Sequence, residues 1–179
     1  MKHTTFLLAL TIFSSTLFAQ APPPAAEKVM ELTIAKATAE NKNILLIFHA
    51  SWCGWCHKMD SSLNDPSIKA NFDKYYVIEH LTVQESKAKV ALENPGGMDI
   101  MKKFHGETSG LPFWVILDKK GELIADSRMK DDKGELQNTG CPANQKEVEY
   151  WITLLKKTSK IGDAQLELIA KRFRMNEAH

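Results

Sequence analysis

The stretch NILLIFHASWCGWCHKM, residues 43–59, constrains the chain more than any other. Its first half is a nearly continuous apolar run, which suits a strand buried on both faces. That run leads straight into two cysteines, Cys53 and Cys56, separated by two residues. Cys56, Met59 and Leu63 then repeat at i, i+3 and i+7, the spacing of one helix face. Any fold for this chain must carry a buried strand into a helix whose first turn holds a pair of thiols.

The neighbouring segments predict an alternation of helices and strands. Met30, Ile34 and Ala37 mark a helix over about 26–41 by their helical spacing. Asp65-Pro66 breaks the helix that follows the cysteines, and SIKANF adds a further turn or two. YYVIEHLTV is β-branched and aromatic, hence a strand. QESKAKVALENPGG reads as a surface excursion, and MDIMKKFHG as a short helix closed by Gly106. LPFWVILD is a strand entered through a proline, KKG a tight turn and ELIADS its hairpin partner. RMKDDKGELQNTG reads as a long charged loop. Val148, Trp151, Ile152 and Leu155 form the stripe of a helix with Pro142 near its entry, and Leu166, Ile169 and Phe173 mark a last one. No internal repeat is evident. The order implies a mixed sheet covered by helices on both faces.

At 179 residues the chain has room for one domain with a proper core. The beginning has a different character. Lys2 and His3 precede an apolar run over 6–13 and then small and polar residues, the order of a secretory signal. The run is too short to span a bilayer. The expected division is a signal peptide over 1–20, a proline-rich spacer over 21–25 and a folded domain over 26–175. Removing Lys2 takes the basic residues from 23 to 22, against 22 acidic. A neutral mature protein has no electrostatic claim on nucleic acid or an anionic surface.

The cysteine count bears on chemistry. Beyond the pair there is only Cys141, whereas a small exported protein stapled by disulfides carries more, evenly paired. A bridge closing so short a loop is a weak staple but a workable switch. Cys53, at the start of the helix, meets unpaired backbone N–H groups and the positive dipole end, which favour a thiolate. It is the expected nucleophile, and Cys56 the resolving thiol. His57 and Lys58 add positive charge nearby, and Trp52 and Trp55 flank the pair as an apolar surface. Cys141 reads as a free, partly buried thiol at a helix entry.

FHASWCGWCHKM after an apolar strand, with SGLPFWVILDKKGEL some fifty residues on, resembles the active strand–loop–helix and later proline strand of the thioredoxin family, in particular its exported bacterial members. The resemblance covers roughly residues 26–158. It implies a thioredoxin-like α/β fold, with a central mixed sheet flanked by helices and an additional C-terminal helix. It implies that Pro112 is the family's cis-proline beside the dithiol, and that the Leu111 backbone pairs with a bound substrate segment as an added strand. The implied activity is protein thiol–disulfide exchange, with the reductase or isomerase direction favoured, in an oxidising compartment such as a periplasm. The partners are disulfide-containing proteins and a separate redox partner, such as a membrane thiol carrier. No cofactor and no metal are expected.

The chain also departs from the pattern. Where thioredoxin has a buried aspartate six positions before the first cysteine, this chain has Ile47. His49, Glu79, His80 or water then remain as proton acceptors for Cys56. The intervening dipeptide is Gly54-Trp55 rather than Gly-Pro, so the redox potential does not transfer. Two rival readings exist. C-x-x-C-H also spells covalent haem attachment, with His57 as axial ligand. The same fold can also act as a binding or chaperone module without turnover.

Overall fold

β1 (Asn43–His49) is the central element, because its five successive buried residues, Ile44 to Phe48, need cover on both faces. It pairs in parallel with β2 (Tyr76–Thr82) and antiparallel with β3 (Phe113–Leu117), and β3 pairs with β4 (Leu123–Asp126). The sheet order is β2-β1-β3-β4, a mixed sheet. The computed structural model describes residues 21–177, so the expected signal peptide over 1–20 lies outside the described residues.

Alternation along the strands divides the core in two. Ile44, Leu46 and Phe48 face α1 (Ala26–Glu40) and α4 (Gly97–Lys103), meeting Met30, Ala37, Met101 and Phe104. Leu45, Ile47, Trp114 and Ile116 face the other layer. That layer comprises α2 (Gly54–Leu63), α3 (Lys69–Tyr75), α5 (Gln145–Thr158) and α6 (Asp163–Arg174). Its centre is aromatic. Trp151 of α5 meets Trp114 edge-on with centroids 4.7 Å apart, and Phe72 and Phe173 close on it at 6.1 and 5.7 Å. The stripes Cys56–Met59–Leu63, Val148–Trp151–Leu155 and Leu166–Ile169–Phe173 are buried as their spacing predicts, while Ile152, the other member of the α5 stripe, is partly buried against the same core.

One local expectation is refined and one is corrected. At the end of the short helix α4 the left-handed position falls on His105, at φ 59°, while Gly106 closes the helix through its N–H, which donates to the Met101 carbonyl at 3.0 Å. Gly106 is small for another reason, since a Cβ there would lie 2.3 Å from the Phe113 ring. The correction concerns 128–138, expected as a loop. It folds as a hairpin of β5 (Arg128–Lys130) and β6 (Leu136–Asn138), a separate two-stranded sheet.

The physical reason is a repeated turn sequence, DKKGEL at 118–123 and DDKGEL at 131–136. In the first, Asp118 Oδ1 accepts hydrogen bonds from the Lys120 and Glu122 N–H groups. In the second, Asp131 Oδ1 accepts from Lys133 and Glu135. Gly121 and Gly134 take φ +87° and +84°, where a side chain would be strained. One turn chemistry therefore builds both hairpins.

The excursion after β2 is closed on itself. Thr82 N–H donates to the Asn94 side chain and Asn94 N–H returns to the Thr82 carbonyl. A short 3-10 turn, Val90–Leu92, lies within it.

Candidate active site

Cys53 is the N-cap of α2, with φ −81° and ψ 99°, and its Sγ accepts a hydrogen bond from the Cys56 backbone N–H at 3.1 Å. A sulfur thus occupies the place of the usual capping oxygen. Cys53 and Cys56 form a disulfide with Cα atoms 5.2 Å apart. Cys53 is 3% exposed and Cys56 1%, and both pack with Ala50 and the partly buried Leu111.

The loop entering the pair is anchored from the excursion after β2. Glu85 accepts from Ser51 N–H at 2.5 Å and from its hydroxyl at 2.9 Å. Trp52 Nε1 donates to the Gln84 carbonyl at 2.8 Å, leaving the ring 57% exposed. Burial pushes the Glu85 carboxyl up, but the Ser51 hydrogen bonds, with the Lys89 charge and the Ser86 N–H, outweigh it and hold the group below its ordinary range. His57 gives its Nε2–H to the Ser51 carbonyl at 3.1 Å. The ring nitrogen that faces the chain in this way is occupied as a loop brace rather than directed outward.

Trp55 is 44% exposed, and Lys58 Nζ lies over its ring at 4.2 Å, a cation–π contact. Gly54 is open, since a Cβ there would meet nothing within 4 Å. The Leu111–Pro112 peptide is cis. Among the described residues no backbone hydrogen bond engages the Leu111 N–H or carbonyl.

Strand register sorts the titratable groups beneath α2. Glu79 is paired with Leu46 and His80 with Ile47, so they point to opposite faces. Glu79 faces α1, where it takes a hydrogen bond from Thr33, and is on the wrong side of the sheet to serve Cys56. His80 and His49 share the α2 face. His80 Nε2 lies 2.9 Å from Asp60 Oδ1 and His49 Nε2 3.1 Å from Thr82 Oγ1, with the two rings 5.1 Å apart. Burial first, and the His80 charge second, lower the His49 pKa. Ile47, paired with His80 and two residues before His49, is buried.

Cys141 is free and buried. Burial pushes its thiol up to about 12 against the opposing charges of Lys58 and Arg172. Its sulfur takes a contact of 3.4 Å from Asn176 Nδ2. A thiol in this state is inert in exchange. Sequence reasoning missed Glu85 and Asn176, which act on positions 34 and 114 residues away through hydrogen bonds to Ser51 and Ser62. No local pattern signals such pairings.

A cysteine pair capping the first turn of a helix, fed by the central strand of a β2-β1-β3-β4 sheet and facing a cis-proline loop, defines a thioredoxin-like oxidoreductase fold. The chain belongs to the thioredoxin-like family, whose model matches residues 25–119. No curated protein sequence matches it. Among solved structures it is similar to a disulphide isomerase from Xylella fastidiosa Temecula1, with 18% identity, 91% of this chain and 98% of that chain covered, and TM-score 0.49. It is also similar to a DsbH oxidoreductase, with 15% identity, coverage of 87% and 96%, and TM-score 0.47. A third is the oxidised DsbD C-terminal domain of Neisseria meningitidis, with 15% identity, coverage of 77% and 99%, and TM-score 0.46.

Proposed function

We propose that the chain is an exported thiol–disulfide oxidoreductase that exchanges disulfides with protein substrates through Cys53 and Cys56, in the reductase or isomerase direction. The observation that carries this reading is the Cys56 N–H donating to Cys53 Sγ at 3.1 Å. In the reduced protein the same donor, with the helix dipole, stabilises the Cys53 thiolate. That thiolate attacks one sulfur of a substrate disulfide, forming a mixed disulfide and releasing the other sulfur as a thiolate. Cys56 then loses its proton and attacks Cys53 Sγ, which frees the second substrate thiol and leaves the Cys53–Cys56 disulfide. Two electrons pass to the substrate. A separate dithiol carrier must restore them.

Other residues take supporting roles. The unengaged Leu111 N–H and carbonyl offer an extended substrate segment two hydrogen bonds beside the pair, with Pro112 shaping that loop. Trp52 and Trp55 give an apolar rim, and Gly54 keeps the helix start open. His57 fixes the loop through Ser51. Export rests on the order of basic, apolar and small residues over 1–20. No helix among the described residues is long and apolar enough to cross a membrane.

The test is an intact-mass redox titration of the mature protein against glutathione buffers with thiols trapped by alkylation. A shared midpoint for Cys53 and Cys56 near about −270 mV supports a reductase, whereas one near about −120 mV means an oxidant. A pair that never titrates, or a haem-sized adduct on it, overturns the reading. Cys53→Ser is expected to abolish turnover of a protein disulfide.

A further inference from the structure

The cleft beside the dithiol has a wall that the family match does not supply. A cleft of about 620 Å³ is lined by Trp55 and Leu111 from around the cysteines and by Leu136, Gln137 and Asn138 of β6. The hairpin follows residue 119, where the family match ends. It is held rigidly to the cis-proline loop. Asn138 Nδ2 donates to the Gly110 carbonyl at 2.6 Å and the Pro112 carbonyl at 3.1 Å, and Arg128 Nη1 donates to the His105 carbonyl at 2.9 Å.

Three features define what this wall can take. Residues 136–140 line the cleft consecutively, so the backbone itself, and not one side-chain row, borders it. Among the described residues β6 pairs only with β5, so its other edge is free to take an added strand. Leu136 is 52% exposed, an apolar side chain left in water on the same cleft as the exposed Trp55. The arginine and the glutamate of the lining are already committed, and His105 lies beside them. Arg128 is paired with Asp126 at 2.6 Å, and Glu147 takes the Ala143 and Asn144 N–H groups. An occupant therefore meets no unpaired guanidinium or carboxylate in the lining, and a buried unpaired charge would cost it.

We propose that the β5–β6 hairpin is the substrate-selecting wall of the site, and that it takes an extended, uncharged polypeptide segment with an apolar side chain next to its disulfide, seated against Trp55 and Leu136. This rests on the dithiol exchange reading above. The hairpin makes polypeptide disulfides better substrates than small ones. Leu136 is a specificity residue and plays no part in the sulfur chemistry.

The experiment is single-turnover oxidation of pre-reduced mature protein, wild type and Leu136→Asp, each with two disulfides. One is a disulfide-bonded peptide of uncharged residues with leucine beside a cysteine. The other is bis(2-hydroxyethyl) disulfide. Each reaction converts the Cys53 and Cys56 thiols to a disulfide and the substrate disulfide to two thiols, so no co-reactant is needed. The ratio of second-order rate constants, peptide to small disulfide, is expected to fall about tenfold in Leu136→Asp. Leu136→Ser should lie between. Replacing the peptide leucine with aspartate should lower the wild-type ratio similarly. Leu136 is exposed, and unchanged thermal melts will establish that both variants fold. An unchanged ratio overturns the inference alone. Wild-type protein that oxidises with neither disulfide overturns the exchange reading itself, and this inference with it.

Discussion

The Lys58 ammonium lies 4.2 Å from the centre of the Trp55 ring and donates to the Asn176 carbonyl at 3.0 Å. One side chain of α2 thus joins the rim of the dithiol site to the end of the chain's last helix. Asn176 is buried, and its side chain continues the link: Nδ2 donates to Ser62 Oγ at 2.9 Å, while Oδ1 accepts from Arg172 Nη1 at 3.3 Å. Arg172 Nε in turn donates to Asp65 Oδ2 at 2.7 Å, just past the end of α2. α6 and the turn after it are a clasp on the active helix, outside the stretch that the family shares.

Breaking the clasp at its buried hub takes one hydrogen bond each from Ser62 and Arg172, which keep the Lys58 carbonyl and Asp65 as partners. Asn176→Ala is expected to cost roughly 1–3 kcal/mol, from two hydrogen bonds at about 0.5–1.5 kcal/mol each. The measurement is urea unfolding, with the midpoint lowered at unchanged slope. A midpoint equal to wild type would show that the clasp contributes nothing.

Phe173 is fully buried against Trp151 with ring centroids 5.7 Å apart. Phe173→Ala removes a large core side chain, at a cost of about 3–5 kcal/mol. A domain of this size loses roughly 2–4 °C of Tm per kcal/mol, so calorimetry should find a fall of roughly 6–20 °C. A fall under about 3 °C would mean that α6 is an appendage rather than part of the core.

How much of this was legible in the sequence follows from range. Cys56, Met59 and Leu63 reveal their helix because one face repeats every three or four residues, and the run from Ile44 to Phe48 reveals a strand buried on both faces. The β5–β6 hairpin was illegible by pattern, because three-residue strands reading Arg-Met-Lys and Leu-Gln-Asn are too short for alternation to register. Its signal was the second D-x-K-G-E-L turn, visible only by comparison with the first. The contacts of Glu85 with Ser51 and of Asn176 with Ser62 join distant segments. They depend on packing already achieved, so no window of sequence contains them.

Cys141 bears on how the cysteines are counted. Its thiol, pushed up to about 12 by burial, stays protonated at pH 8, and the thiol form does not react. Reduced folded protein treated with iodoacetamide at pH 8 is expected to be modified first at Cys53, and at Cys141 only in denaturant. A folded protein that takes three adducts at one rate would contradict the burial of Cys141.

His49 makes stability depend on pH in a defined direction. Its folded pKa lies below the ordinary histidine value of about 6.5, through burial first and the neighbouring His80 second, with Asp60 and Glu85 opposing. Between the two values the unfolded chain binds a proton that the folded chain refuses, so stability rises with pH there. The stabilisation is complete above about pH 6.5 and is lost as pH falls towards the lower folded value. His80 faces the same space from β2, its ring 5.1 Å from that of His49 and its Nε2 2.9 Å from Asp60 Oδ1. Melting temperatures measured from pH 8 to pH 5 should therefore decline below pH 6.5 in the wild type. In His49→Gln, which keeps a side-chain amide within reach of Thr82 but cannot charge, the decline should be shallower. Equal slopes for the two proteins would remove His49 from the account and leave the acid sensitivity to other groups.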